Sequence, residues 1–397
     1  MFKSSIRSLK VINHNLQRQI SSTATTADRP LLLDVLPSRK FIKRLLFDMD
    51  AKMNYNKYLP VLEKIYDTMD NNKIDDKGQD LKKIYSKLTG KDLVIFQNVL
   101  KEIRTQTHTS NKNLVDLESA LIERAGELGN RDAITMLCFK ALEQDSNTGS
   151  SSTIEEPYTD EEKRFANLHI MKLLKLNHPL TFKMSGDFAF KNGRVEDAVK
   201  FYNQFIKLDP NSFLTSEVYK SMGIIEFRNS RLIKSKYFFE KSIALAPSSK
   251  VSQCHYFLGQ IYEDDPLRSR YHFEMSAAEG FRESFASLGF LELNYFHDAY
   301  KAKHWFLLGS ELGDVNCMIG VFDSYIRVDD LSNAAKAFNK IKKFLNEQTE
   351  SVNFTWDQFL KIREESIDKL SITGLINEIN IDNSLSNENL QDSKWNV

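Results

Sequence analysis

The sequence predicts an all-α protein of stacked helix pairs, a helical-repeat solenoid with a helical region at its N-terminal end. Glycine and proline are scarce, at 15 and 8 of 397 residues, which favours long helices over sheet. Apolar residues recur every three or four positions over most of the chain, as on one face of a helix. A pattern of small and aromatic residues also recurs along the chain, which is typical of repeat architectures.

The first 27 residues differ from the rest of the chain. They contain no acidic residue, and their apolar and basic residues each recur at helical spacing, offset from one another. A Ser/Thr-rich stretch follows, from Ser21 to Thr26. This composition is typical of a mitochondrial transit peptide, which we predict for residues 1–27. The alternative is an ordinary basic, amphipathic start to a cytosolic helix.

No apolar run approaches the ~18 residues that a membrane-spanning helix needs, because charges interrupt each one. We therefore expect the mature protein in the mitochondrial matrix, or peripheral to the matrix side of the inner membrane.

The middle and end of the chain divide by composition. Residues 38–143 carry helical apolar stripes, one from Tyr58 to Met69, another from Leu81 to Leu88, and a third helix that Asp92 could cap. Residues 144–162 are polar and Ser/Thr-rich, which predicts a linker or exposed loop. We assign residues 163–345 to the repeat region, and residues 346–397 to a C-terminal helix and a disordered tail.

A unit of about 34 residues that begins at Pro179 carries the pattern most clearly. It resembles the tetratricopeptide repeat through Phe182, Ser185, Gly186, Ala189, Ala198, Tyr202, Phe205 and Pro210. In this repeat the small residues let two helices approach closely, and the aromatic residue packs into their contact. A second, weaker unit begins at Ser216, and a third begins near Ser252.

The later units are similar to the related Sel1-like repeat. Their signatures are 277-AAEG-280, 309-GSELGD-314 and 333-NAAKAF-338. A fainter copy, 125-AGELGN-130, lies within residues 114–143. Such units cannot bury their apolar faces alone, so they stack into a superhelix with a concave groove.

The resemblance implies which residues face that groove. In the first unit they include Lys183, Asp187, Phe190 and Lys191, and in the second Lys220, Ile224, Phe227 and Arg228. Cations beside aromatic residues suit an extended peptide with acidic and apolar side chains. The alternative is a solvated helix face for the cations and a place in the core for the phenylalanines.

Residues 38–47 sort into a basic and an apolar side. Arg39, Lys40, Lys43 and Arg44 lie on one side, and Ile42, Leu45 and Leu46 lie largely opposite. That pattern is typical of a helix on an anionic membrane surface. The alternative is a capping helix whose apolar side packs on the next helix.

No catalytic signature is present, so we expect neither an enzyme nor a cofactor. The chain has no GxGxxG, GxxxxGK[ST], HExxH or GxSxG motif. His297 and His304 could share a helical face, but no third metal ligand stands nearby. The three cysteines have no CxxC spacing, which indicates reduced structural thiols and no metal.

Presequence, helical N-terminal region and mixed repeats together resemble the fungal mitochondrial tetratricopeptide proteins that assist export of the cytochrome oxidase subunit II C-terminal domain. The resemblance implies a non-catalytic scaffold that helps cytochrome oxidase assembly. Its partners would be a nascent or inserting inner-membrane protein, above all subunit II, and the export machinery.

The alternative is an RNA-linked translational activator of a mitochondrially encoded mRNA. The zero net charge (54 basic and 54 acidic residues) and the few irregular repeats disfavour nucleic acid as a partner.

Overall fold

A computed structural model describes residues 30–70, 88–143, 158–347 and 356–376. The predicted transit peptide, the apolar stripe before Leu88, most of the predicted linker and the tail from Ile381 lie outside these ranges. The chain divides into two compact units, the first ending at Leu208 and the second beginning at Asp209.

The first unit consists of helices joined by short turns. They are α1 (Leu32–Val35), α2 (Arg39–Asp48), α3 (Tyr55–Asp70), α4 (Gly90–Thr107), α5 (Lys112–Glu127), α6 (Arg131–Glu143), α7 (Asp160–Lys175), α8 (Pro179–Lys191) and α9 (Val195–Leu208).

The second unit continues the pattern. Its helices are α10 (Phe213–Arg228), α11 (Leu232–Leu245), α12 (Ser248–Ile261), α13 (Pro266–Ala278), α14 (Arg282–Phe290), α15 (Ala299–Glu311), α16 (Val315–Arg327), α17 (Leu331–Glu347), α18 (Trp356–Ile362) and α19 (Glu364–Ile372). Helix α14 ends in one π-helical turn, Leu291–Tyr295. The described residues form no strand, and consecutive helices pack as pairs, so the predicted all-α, helical-repeat fold class is confirmed.

Glycine and an aromatic ring hold three successive helix pairs together, as the repeat pattern predicts. A Cβ atom at Gly186 would lie 2.5 Å from the ring of Tyr202, one at Gly223 would lie 2.5 Å from the ring of Phe239, and one at Gly259 would lie 2.6 Å from the ring of Phe273. Real Cβ contacts are not this short, so only glycine lets the second helix of each pair approach with its ring in place.

The second small residue of the pattern adds a hydrogen bond in two of these pairs. Ser235 Oγ donates to the Gly223 carbonyl at 2.9 Å, and Ser269 Oγ donates to the Gly259 carbonyl at 2.8 Å. Both hydroxyls are buried, and the bonds satisfy their polar groups inside the helix contact.

The faint upstream copy of the Sel1-like motif also makes a helix pair. Gly129 has φ 78° and Gly313 has φ 76°, so each ends its helix in the left-handed conformation that favours glycine. The next residue caps the following helix in both: Asn130 Oδ1 accepts from the Ala133 amide at 2.9 Å, and Asp314 Oδ1 from the Cys317 amide at 2.8 Å. The sequence 125-AGELGN-130 therefore forms the same turn as 309-GSELGD-314.

The N-terminal helices share one apolar core. Tyr58 of α3 packs edge-on against Phe96 of α4, with ring centroids 4.6 Å apart, and both side chains are fully buried.

The prediction that Asp92 caps α4 needs a correction. Thr89 is the N-cap, and Asp92 lies three residues later, where its carboxylate accepts from the Thr89 amide at 3.0 Å in a capping box.

The domain boundaries predicted from composition stay predictions. Helix α7 begins at Asp160, within the segment assigned as linker, and the two compact units divide inside the predicted repeat region. At the other end, Arg363 donates two hydrogen bonds to the carboxylate of Asp323 on α16, both at 2.7 Å, which ties α18 and α19 to the last repeat.

Candidate peptide-binding site

The predicted groove residues of the first repeat, which begins at Pro179, all lie on α8. The proline at its first position needs no helical hydrogen-bond acceptor for its nitrogen, so the helix begins cleanly at Pro179. Lys183 Nζ lies 2.9 Å from Asp187 Oδ2, and the hydroxyl of Tyr202 donates to Asp187 Oδ1 at 2.8 Å. The Lys183 side chain is only 16% exposed. The carboxylate of Asp187 is therefore fixed from two sides, and the charge of Lys183 is already matched.

Lys191 is the cation of α8 that a ligand can reach. Its side chain is 69% exposed, and its Nζ lies 4.0 Å from Glu143, an exposed contact worth little because solvent screens it. Phe190 beside it is half-buried. This end of α8 thus offers one exposed positive charge next to part of an aromatic ring.

In the second repeat, which begins at Ser216, the corresponding residues lie on α10, and some are apolar while others are cationic. Phe227 is half-buried and its ring lies 4.9 Å from that of Phe257 on α12, while Ile224 packs against the buried cluster around Phe239. Lys220 is half-buried and Arg228 is exposed. The apolar members therefore belong partly to the core, and the exposed end of the helix is Arg228.

We call Lys191 with Phe190 the first patch and Arg228 with Phe227 the second patch. Sequence reasoning missed three residues that extend the second patch. Phe257 supports Phe227 directly, and Tyr256 and Gln260 occupy on α12 the repeat positions that Lys220 and Ile224 occupy on α10. Gln260 Nε2 donates to the Tyr256 hydroxyl at 3.0 Å, which fixes a polar contact at the surface of α12. Continuing the repeat register from Ser252 would have identified Tyr256 and Gln260.

The basic N-terminal helix α2 presents its charges to solvent and its apolar side to the protein. Arg39, Lys40, Lys43 and Arg44 are all exposed, while Ile42, Leu45 and Leu46 are buried in the N-terminal core. The alternative, an apolar side packed on neighbouring helices, describes this geometry. The exposed apolar group on the helix is Phe47, at 83%. A membrane could therefore meet only the basic side of α2 and this one ring.

The histidines and cysteines that were considered as metal ligands or reactive groups do not form such a site in the described part of the chain. His297 lies in a turn with φ 55°, before α15 begins at Ala299, so it does not share a helix face with His304 and that possibility was wrong. Over the described ranges no group of three His, Cys, Asp or Glu side chains could hold a metal ion. Burial raises the pKa of the Cys254 thiol to about 11 and that of Cys138 to about 12, so neither is a reactive thiolate.

None of the helices in the described part of the chain is long and apolar enough to cross a membrane.

Comparison with known proteins agrees with the resemblance found in the sequence. Residues 28–130 match the family model described as the MSS2 N-terminal domain. The chain is 29% identical over 355 residues to the protein named "Protein MSS2, mitochondrial" from Saccharomyces cerevisiae, which covers 89% of this chain and 98% of that protein. Among solved structures, the crystal structure of yeast Tom70 matches with a TM-score of 0.42 and 12% identity, covering 92% of this chain and 72% of Tom70.

Proposed function

We propose, from its similarity to the mitochondrial MSS2 protein, that this chain is a non-catalytic, mitochondrial scaffold that binds another protein during cytochrome oxidase assembly. The observation that carries the proposal is the repeated helix pair locked by a glycine and an aromatic ring, in which α8 and α10 each display a half-buried apolar side chain beside an exposed cation. A rigid receptor loses little conformational entropy when it binds an extended segment.

The finer proposal is that the bound segment belongs to an inserting inner-membrane protein, above all the C-terminal domain of subunit II, which the scaffold helps to export. The protein would act on the matrix side of the inner membrane, together with the export machinery. Basic residues of α2 support a peripheral contact with that membrane, because an anionic surface attracts each exposed Lys or Arg by about 1 kcal/mol.

The two patches have matched chemistry. Lys191 with Phe190 in the first unit and Arg228 with Phe227 in the second each combine a cation with a half-buried ring. We expect the rings to supply affinity and the cations to supply orientation and association rate. Both cations are exposed, so reversing their charge leaves the helix packing intact.

The test replaces both reachable cations, Lys191→Glu with Arg228→Glu, in cells that depend on this chain. Protease sensitivity of the subunit II C-terminal domain in intact mitoplasts measures its export. We expect export to fail while the protein accumulates at its normal level. A control variant, Lys207→Glu with Lys241→Glu, changes the net charge equally at other exposed helix positions and should export normally.

Normal export in the Lys191 and Arg228 variant would exclude the two patches as the binding site. Loss of subunit II synthesis, with export unaffected for whatever is made, would instead support the RNA-linked alternative.

A further inference from the structure

A second apolar groove lies in the C-terminal unit, away from α10 and α12. Helices α15, α16 and α17 enclose a depression of about 190 Å³. Its floor consists of Leu307, Met318, Val321, Tyr325 and Ala337, and its opening faces solvent. Met318 and Val321 are buried at the bottom, while Leu307 is partly exposed at the edge. The groove therefore offers recessed apolar surface for one large side chain.

The rim of this groove is positively charged. Lys336 and Lys340 on α17 are both exposed, and they lie one turn apart, about 6 Å along the helix axis. A third cation lies near one lining residue: the Lys303 ammonium is 5.2 Å from the ring centroid of Tyr325 and 5.4 Å from that of Tyr300. Two lysines thus line the apolar depression, and a third contacts one of its rings.

One described carboxylate acts on these cations. The carboxyl of Asp330 accepts two hydrogen bonds from Asn333, at 3.2 and 2.7 Å, caps α17, and interacts electrostatically with Lys303 and Lys336. Lys336 also donates to the amide oxygen of Asn333 at 3.1 Å, and among the described residues no carboxylate forms an ion pair with Lys303, Lys336 or Lys340. The rim charge is therefore only partly compensated by the described residues, and a ligand can complete it.

We propose that this groove binds a short acidic, amphipathic segment of a partner protein. One apolar side chain of the segment enters the depression, and carboxylates one helical turn apart pair with Lys336 and Lys340. The recessed floor favours a peptide over a membrane, because a flat lipid surface reaches the rim but not Met318 or Val321 at the bottom. The proposal is independent of the function proposed for α8 and α10, since it involves other helices.

The experiment uses the full chain and a fluorescein-labelled helical peptide as the probe. The probe carries one central Leu and two Glu residues that lie one helical turn apart from each other, and a second probe replaces each Glu by Lys. Fluorescence anisotropy should show saturable binding of the acidic probe only. Lys336→Glu with Lys340→Glu should weaken that binding about tenfold or more, because it reverses both rim charges.

Two further variants separate charge from shape. Ala337→Phe fills the depression and leaves every charge in place, so it should also abolish saturable binding. The matched control, Lys234→Glu with Lys342→Glu, makes the same change in net charge at exposed positions outside the groove lining and should bind the probe normally.

Equal binding of the acidic and basic probes, or loss of binding in the control variant as well, would overturn the proposal. So would a result in which vesicles of equal parts phosphatidylcholine and phosphatidylserine bind the chain through Lys336 and Lys340 while the peptide does not.

Discussion

Gly223→Ala should destabilise the second unit, although alanine normally stabilises a helix. The added Cβ would lie 2.5, 2.6 and 3.0 Å from three ring atoms of Phe239. That ring is fully buried and stacked on Phe257, with centroids 5.3 Å apart and planes 1° from parallel, so it cannot move aside cheaply. Because the ring cannot move aside, the overpacking cost lies in the upper part of the usual range, about 2–3 kcal/mol, and the helix propensity of alanine returns about 1 kcal/mol.

The expected net effect is a loss of about 1–2 kcal/mol in the free energy of unfolding. For a unit of this size that corresponds to a fall of roughly 2–8 °C in the unfolding midpoint. Urea and thermal unfolding can be followed by tryptophan fluorescence, because all three tryptophans, Trp305, Trp356 and Trp395, belong to the second unit. Far-UV circular dichroism of the same samples reports both units.

Two comparisons make the measurement specific. Gly126→Ala is the matched control, because its Cβ would meet only the flexible end of Leu137, at 3.0 Å, so its stability should change little. In a Phe239→Leu background, Gly223→Ala should cost nothing further, which gives a coupling energy of about 1–2 kcal/mol. A midpoint at or above that of the unmodified chain for Gly223→Ala, or strict additivity of the two changes, would refute the proposed packing.

Three further predictions follow from other contacts. Gly186→Trp should lower the unfolding midpoint by more than Gly223→Ala, since an indole cannot fit against the Tyr202 ring; an unchanged midpoint would show that the repeat register is wrong. Burial lowers the pKa of His272 to about 4, from an unfolded value near 6.5. Because the unfolded chain then binds one more proton than the folded chain, stability falls as the pH drops from 6.5 to 4. His272→Gln should flatten this part of the stability–pH curve, and an identical slope would contradict the prediction. Arg363→Ala leaves the Asp323 carboxylate without its two hydrogen bonds and should lower the free energy of unfolding by about 1–3 kcal/mol. Amide hydrogen exchange in α18 and α19 should then become faster. Unchanged exchange would show that the pair does not hold these helices.

The repeat packing could be predicted because it depends on local residue types. The Gly223 and Phe239 spacing, and the turn around Gly129, are set by which residues fit a close helix contact or a left-handed backbone. Both can be read from one stretch of chain.

The candidate site was harder to predict because its charges depend on partners elsewhere in the fold. The spacing of Lys183 and Asp187 is that of a helical ion pair, but nothing in the sequence of α8 indicates that Asp187 also takes a hydrogen bond from Tyr202 on the next helix. Likewise, the amphipathic pattern of α2 fits a membrane surface and a core contact equally; the burial of Ile42 shows the core contact, and the membrane contact of the basic side stays a prediction. Periodicity reports that a face is apolar but does not report what covers it.

Site-specific photocrosslinking tests the central claim, that the repeats bind a protein segment, most directly. A benzoylphenylalanine side chain would replace Asn229, which is exposed and follows Arg228 at the end of α10, or Ile233, which is 88% exposed on α11. Mitochondria carrying either variant would synthesise labelled proteins, with and without RNase, before irradiation. We predict an RNase-resistant adduct with newly made subunit II from position 229 and none from position 233. Equal adducts from both positions, or an adduct from position 229 that RNase removes, would contradict this prediction.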